Sequence, residues 1–265
     1  MAPLKDSQLN VYNIGTMRMQ VPQEFDFVRF DPNNDCNVHC VYCHNHRSKE
    51  IIDTGEFRAF LEENILSVNH FQVGCIMEPT LDPRLCELMT MIAGSRGKPG
   101  RTFVLQTNGI LLHRHDLSTM RDAGLTHLSV SIDAADPVTH KTLRGGTSLP
   151  KVLSNLASFH KYCSSIDMVF ITTVTTLNIS AMEDLITRGL DLGVKKFVLR
   201  EVFYHSDSKI VDHYKMPNLV LKEEAFARLQ ESIAVKFANR ANFEFAAAPL
   251  LDRLTDKMKF DSFRS

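Results

Sequence analysis

The chain predicts an α/β fold built on a parallel sheet, and three observations carry that prediction. Short apolar runs alternate with segments of helical periodicity over residues 27–202. Glycines sit where a helix must stop and feed a strand, as at Gly124-Leu125 and Gly193-Val194. Polar residues gather at the carboxyl ends of the apolar runs. Strands separated by helices of this length pair in parallel through right-handed crossovers. Six such units make either an open doubly wound sheet or a partly closed barrel. In both, ligands collect at the carboxyl ends of the strands.

The first strand is Phe27 to Phe30, followed by a polar loop. A helix from Thr54 to Val68 has Asp53 as N-cap and Glu56 three positions on, the capping-box arrangement. His70 to Cys75 reads as the second strand. The next helix starts at Asp82-Pro83, with Pro in the first turn, and ends near Gly94. A basic loop, Arg96 to Gly100, leads to the third strand, Arg101 to Gln106. Asp116 to Ala123 is helical, His127 to Ile132 the fourth strand, Leu149 to Cys163 helical, and Asp167 to Val174 a β-branched fifth strand. Ser180 with Glu183 is expected to cap a helix that Gly193 stops, before the sixth strand, Lys196 to Val202. Beyond it come a polar loop to Asn218, an amphipathic helix from Leu221 to Ala238, a short run near Phe243 to Ala246, and a surface helix or tail from Asp252. The expected organisation is an N-terminal extension over 1–26, a core over 27–202, and a loop, helix and tail over 203–265 completing the same domain.

With 44% hydrophobic and 23% charged residues in 265, the chain has a globular composition and enough length to bury a large core. A net charge of −1 supplies no basic excess for phosphates, so general nucleic-acid or anionic-membrane binding is not expected. No apolar run reaches the roughly 18 residues of a membrane span, and Met1 to Asp6 lacks a signal-peptide core. The expected location is therefore the cytoplasm, where clustered cysteines are more often metal ligands than disulfides.

Three of the six cysteines are clustered, in Cys36-Asn37-Val38-His39-Cys40-Val41-Tyr42-Cys43. Thiols this close are bridged or bound to a metal. Cubane iron–sulfur clusters are normally held by four thiolates, so three leave one iron with an open position. Closed structural metal sites fill all four. The bland alternative is a zinc site completed by His39, His44 or His46; otherwise these histidines are loop residues. Because the loop follows the first strand, it lies at the carboxyl face. Glu78 follows the second strand there, Thr107-Asn108 the third, Ser131 and Asp133 end the fourth, Asn178 follows the fifth, and Arg200-Glu201 end the sixth. Such a ring of polar groups suits a bound polar cofactor. Asn178 is expected to cap a helix. Cys75, Cys86 and Cys163 are isolated among apolar residues and are expected to pack.

The C-x3-C-x-aromatic-C string, with Tyr42 as the aromatic residue, resembles the signature of the radical S-adenosylmethionine (radical SAM) superfamily. Supporting segments occur in the family's order: Gly74 to Leu81 resembles its Gly-Gly-Glu-Pro segment, Thr107-Asn108-Gly109 its Thr-Asn-Gly turn, Val130 to Asp133 its Ser-Leu-Asp strand end, and Arg144-Gly145 its Arg-Gly pair. The resemblance covers Phe27 to Val202. It implies a partial (β/α)6 TIM-like barrel with a short C-terminal extension. It further implies that Cys36, Cys40 and Cys43 hold a [4Fe–4S] cluster whose open iron takes S-adenosylmethionine (SAM), and that reductive cleavage yields a 5′-deoxyadenosyl radical.

By the same resemblance Tyr42 packs near the adenine, and the Ile76–Met77–Glu78 segment meets the methionine amino group. Thr107, Asn108, Ser131 and Asp133 line the cofactor, Arg144 meets its carboxylate, and the backbone at Leu199 borders the adenine. Glu201, Tyr204 and Cys75 are candidate catalytic groups toward substrate. Ile76 and Met77 replace the family's paired glycines, so this edge is expected to run as ordinary extended strand. The absence of a cysteine-rich C-terminal extension tilts the expected substrate toward a small molecule. Peptide modification or glycyl-radical activation is the alternative, and a non-catalytic zinc or iron scaffold a distant one. A reductant such as flavodoxin or ferredoxin is the implied partner.

Overall fold

A computed structural model describes residues 26–43, 45–64, 68–94, 100–202, 217–240 and 243–248. The expected N-terminal extension over 1–25, His44, the polar loop over 203–216 with Tyr204, and the tail over 249–265 lie outside the described residues.

The strands predicted from alternation form: β1 (Phe27–Phe30), β3 (His70–Val73), β4 (Thr102–Thr107), β5 (His127–Ser131), β7 (Asp167–Val174) and β8 (Lys196–Glu201). The run near Phe243 becomes a further strand, β9 (Glu244–Ala248). Together they make one seven-stranded sheet, order β1-β3-β4-β5-β7-β8-β9, with every neighbouring pair parallel. The sheet does not close, since β1 and β9 are its two edges.

Helices α1 (Thr54–Asn64), α2 (Leu85–Gly94), α3 (Leu117–Asp122), α5 (Leu149–Tyr162), α6 (Met182–Asp191) and α7 (Glu223–Phe237) form the crossovers and flank. In α5 the buried Val152, Leu156 and Phe159 recur at helical spacing. They join Phe71, Leu105, Leu128, Phe170 and Phe197 in one continuous core between sheet and helices. The alternate strand residues form the other face, and they are largely polar: Gln72, Gln106, Ser129, Ser131, Thr173 and Arg200.

Several local expectations need correction. Helix α2 starts at Leu85, because the Asp82 carboxylate instead accepts from the Arg84 N–H at 2.9 Å in a turn. Ser180 does not cap α6: a 3₁₀ turn over Ile179–Ala181 leads into the helix, with Ala181 at its N-cap. Asn178 stands at the N-cap position of that 3₁₀ turn, but its side chain makes no capping bond. It is fully buried, its Oδ1 accepts from the Thr175 N–H at 2.7 Å, and its Nδ2 donates to the carbonyls of Asp133 and Thr173. It ties the ends of β5 and β7 together. The Asp53 cap stands, accepting from the Glu56 N–H at 2.8 Å.

The second strand stops at Val73 rather than Cys75. Gly74 turns out of the sheet at φ 81°, where a β-carbon would lie 2.3 Å from the Gln106 carbonyl oxygen. Cys75 to Met77 therefore bend instead of continuing as extended strand. The positive-φ glycine stands two residues before the positions where the family resemblance placed its pair.

Two elements are new. Helix α4 (Pro137–Leu143) starts at Asp136, whose carboxylate caps the Thr139 N–H at 2.8 Å. A two-residue antiparallel ribbon joins β2 (His39–Cys40) to β6 (Arg144–Gly145), pairing Cys40 with Arg144. This ribbon stitches the cysteine loop to the connection after β5. Among the described residues no helix is long and apolar enough to cross a membrane.

Candidate active site

The cysteine loop leaves β1 through Asp31-Pro32-Asn33 and is braced before any ligand is considered. The Asn33 Nδ2 donates to the Glu78 carbonyl at 2.9 Å, and the Glu78 N–H to the Asp35 carbonyl at 3.0 Å. From the far side, the Arg47 guanidinium donates to the Cys36 carbonyl at 2.7 Å and to the Val38 carbonyl. Cys36, Cys40 and Cys43 are half-buried free thiols. Burial pushes Cys36 up to about 11 and Cys40 upward too, the latter opposed by the nearby Arg144 charge. The Asn45 side-chain amide donates to the Cys43 sulfur at 3.8 Å.

Three groups of buried or half-buried polar side chains surround this loop. The first is Glu78, 2% exposed. Its Oε1 accepts from the Thr80 N–H at 3.0 Å, the Thr80 hydroxyl at 2.5 Å and the Thr107 hydroxyl at 2.6 Å; its Oε2 accepts from the Asn108 N–H at 2.7 Å. Burial raises its pKa, and these four bonds oppose the rise. Asn108 in turn donates to the Asn37 side chain at 2.7 Å, inside the cysteine loop. Thr107 and Asn108 thus face the protein through Glu78 and Asn37.

The second group joins Tyr42, Asp133 and Arg144. The Tyr42 hydroxyl donates to Asp133 and accepts from Arg144 at 3.0 Å, while Arg144 pairs with the fully buried Asp133 carboxylate at 3.1 Å. The other Asp133 oxygen accepts from the Thr173 N–H at 2.9 Å. Asp133 is therefore an anchor and not a simple turn residue. Burial lowers Arg144, but the surrounding Cys40, Tyr42 and Asp133 raise it further, and it stays charged. Burial drives the Tyr42 phenol well above its usual range.

The third group is Asp31, at the carboxyl end of β1. Its carboxylate accepts from the N–H groups of Cys75 at 2.8 Å, Ile76 at 3.2 Å and Met77 at 3.2 Å, and from the Cys75 thiol at 2.8 Å. This nest explains the bend after Gly74. Burial, then the Asp31 charge, pushes the Cys75 thiol far up, so it stays protonated. Asp31, Asn37, Arg47 and His140 escaped the sequence reading. Asp31 was findable, since it stands at a strand's carboxyl end like Glu78 and Asp133.

Of the remaining predicted positions, Ser131 is half-buried on the polar face of the sheet, paired with Ile171 of β7. Leu199 is buried with Phe197 in the core, so only its backbone lies between β7 and β9. Glu201 ends β8 and is half-buried. Cys86 and Cys163 pack away from the loop; their thiols meet the carbonyls of Asp116 and Leu117.

Three thiols are one short of the four that normally hold a cubane cluster, so the donor set fits a cluster with one iron left open.

A half-buried trio of thiols at the carboxyl face of a parallel sheet, with an aromatic residue between two of them, defines a class of cofactor enzymes. The radical SAM superfamily model matches residues 31–188, more than half of the chain, and the chain belongs to that superfamily of enzymes, which work with a [4Fe–4S] cluster and SAM. A probable GTP 3′,8-cyclase of Methanococcus aeolicus is 28% identical over 129 residues, 47% of this chain and 42% of its own length. The AdoMet-dependent heme synthase of Methanosarcina barkeri is 32% identical over 114 residues, 42% of this chain and 32% of that protein. The matches thus span less than half the length of these curated relatives. Among solved structures, Streptococcus suis SuiB bound to S-adenosylmethionine superposes with a TM-score of 0.68 at 13% identity, over 86% of this chain and 51% of SuiB. AnSMEcpe with bound AdoMet gives 0.64 at 19% identity, over 83% and 63%. At these identities the likeness shows the fold alone.

Proposed function

We propose that this protein binds SAM at a cluster held by Cys36, Cys40 and Cys43 and generates a radical that abstracts hydrogen from a small polar molecule. One observation carries the reading: the three thiols stand free and half-buried at the carboxyl face, in a loop that Glu78, Asn108, Arg47 and Arg144 hold from several sides. When bound, the cluster supplies the electron that splits the sulfonium C–S bond of SAM, leaving methionine and a 5′-deoxyadenosyl radical.

The chain's own residues then have distinct tasks. Tyr42, fixed through its hydroxyl by Asp133 and Arg144, forms a wall for the adenine. Arg144 supplies the positive charge for the cofactor's carboxylate. Ser131 lines the ribose side from the polar face. The bent Cys75 to Met77 segment, whose N–H groups are taken up by Asp31, offers its backbone carbonyls to the methionine amino group. Glu78, Thr107 and Asn108 act by holding the strand ends in place, not as direct ligands. The polar face with Gln72, Gln106, Ser129 and Thr173 favours a hydrogen-bonding substrate, as does the likeness to GTP 3′,8-cyclases. Glu201, Tyr204 and Cys75 are its candidate acid–base or hydrogen-donating groups. A flavodoxin or ferredoxin in the cytoplasm is the proposed electron source.

A second reading has a specific observation behind it. SuiB and anSMEcpe have both been crystallised with peptides, so a peptide substrate is the rival. Anaerobic reconstitution tests the core proposal: about four irons and four sulfides per chain, and 5′-deoxyadenosine formed from SAM under a strong reductant. Cys40→Ala is expected to abolish that product. Uptake of zinc without iron, or cleavage that persists in the variant, overturns it. Deuterium transfer into 5′-deoxyadenosine from labelled nucleotides or from labelled peptides decides the substrate class.

A further inference from the structure

Arg47 stands out among the charged side chains around the cysteine loop. Its guanidinium donates to two backbone carbonyls inside the loop, those of Cys36 and Val38. The neighbouring cations are balanced: Lys49 pairs with Asp35, and Arg144 with Asp133. Among the described residues no carboxylate lies within ion-pair distance of Arg47. A guanidinium satisfied only by neutral carbonyls keeps its full charge, and this one is held against the Cys36–Val38 segment, which carries the first of the three thiols and leads directly into the strand of the second.

Three thiolates and the reduced cluster together bring net negative charge to that spot. Cluster potentials are set by net charge, hydrogen bonds and solvent exposure, and residues behind the ligands fix both their orientation and the electronics. We propose that Arg47 is a positioning residue with two separable effects. Its fork preforms the Cys36–Val38 turn, and its charge stabilises the reduced cluster, making it easier to reduce. The inference rests on the assignment of Cys36, Cys40 and Cys43 as ligands.

The test uses reconstituted protein and reads iron content and the reduction midpoint by electron paramagnetic resonance, without SAM turnover. Arg47→Gln keeps hydrogen-bonding ability and removes the charge. It is expected to retain about four irons but to hold about tenfold less reduced cluster at a fixed potential, a displacement of about 59 mV downward for a one-electron couple. Arg47→Lys keeps the charge but loses the fork. It is expected to keep the wild-type midpoint while loading cluster more slowly. A wild-type midpoint in Arg47→Gln overturns the proposal, and so does an equal downward shift in both variants. If Arg47→Gln fails to load iron, Arg47→Met, which also removes the charge, is read in its place: a tenfold loss of reduced cluster supports the charge effect and a wild-type midpoint removes it. Failure of the wild-type protein itself to take up iron refutes the ligand assignment instead.

Discussion

Glu78 and Asp133 are the two carboxylates taken furthest out of water beside the cysteine loop, 2% and 0% exposed, and they are held in different ways. Each oxygen of Glu78 receives one fixed backbone donor, Thr80 N–H on one and Asn108 N–H on the other. In Glu78→Gln, whichever oxygen becomes the amide nitrogen confronts a donor that cannot rotate away. The variant is expected to lose about 1–3 kcal/mol in urea unfolding; an unchanged midpoint would show that the carboxylate braces nothing. Asp133 instead balances the buried Arg144 charge. Asp133→Asn strands that charge and is expected to cost about 3–5 kcal/mol, whereas Asp133→Leu with Arg144→Met recovers most of the loss. Strict additivity of the two single replacements would contradict the pair. Both carboxylates were legible in the sequence as polar ends of apolar runs. Their roles were not, because Thr107, Asn37 and Thr173 become neighbours only when distant strands align.

Sheet and helices were readable wherever a pattern ran for several residues, as in α5 with its helical spacing or β7 with its β-branched run. The ribbon of β2 and β6 has two residues per strand, too few for any periodicity. Helix α4 did carry a signal, Asp136 before Pro137, but its span is only seven residues. At β9 the run was visible and its pairing was not, since register belongs to the partner strand β8. Element contacts also make a prediction at Gly189 of α6. A β-carbon there would lie 2.6 Å from the Phe197 ring and 3.0 Å from that of Phe170, and these rings pack edge to face at 5.8 Å. Alanine gains about 1 kcal/mol in helix propensity, but overpacking costs about 1–3 kcal/mol. Gly189→Ala is therefore expected to lower the thermal midpoint, and a rise would mean that α6 can move off the sheet freely.

Across the whole molecule, the polar anchors behind the cysteine loop make stability depend on pH, and His140 gives the clearest case. It is 1% exposed on α4, its Nδ1 accepting from the Asp133 N–H at 3.4 Å and its Nε2 lying 3.4 Å from the Thr147 hydroxyl. Burial pushes the imidazole down to about 4, only partly offset by the Asp133 charge. An unfolded histidine titrates near 6.5. Between those values the unfolded chain binds a proton that the folded chain does not, so this stabilising contribution is complete above 6.5 and lost as pH falls toward 4. At pH 5 the loss is about 2 kcal/mol, and at pH 7.5 it is close to zero. Glu78 acts in the opposite sense, because its raised pKa makes the folded state take up a proton first on acidification. A bare pH–stability curve therefore mixes the two, and the informative quantity is the difference between the wild type and His140→Gln. Urea unfolding of the metal-free proteins at pH 7.5 and pH 5 is expected to show that difference shift by about 2 kcal/mol in favour of the variant. A difference independent of pH would mean that His140 is charged in the fold, and that Asp133 faces two cations where the structure places one.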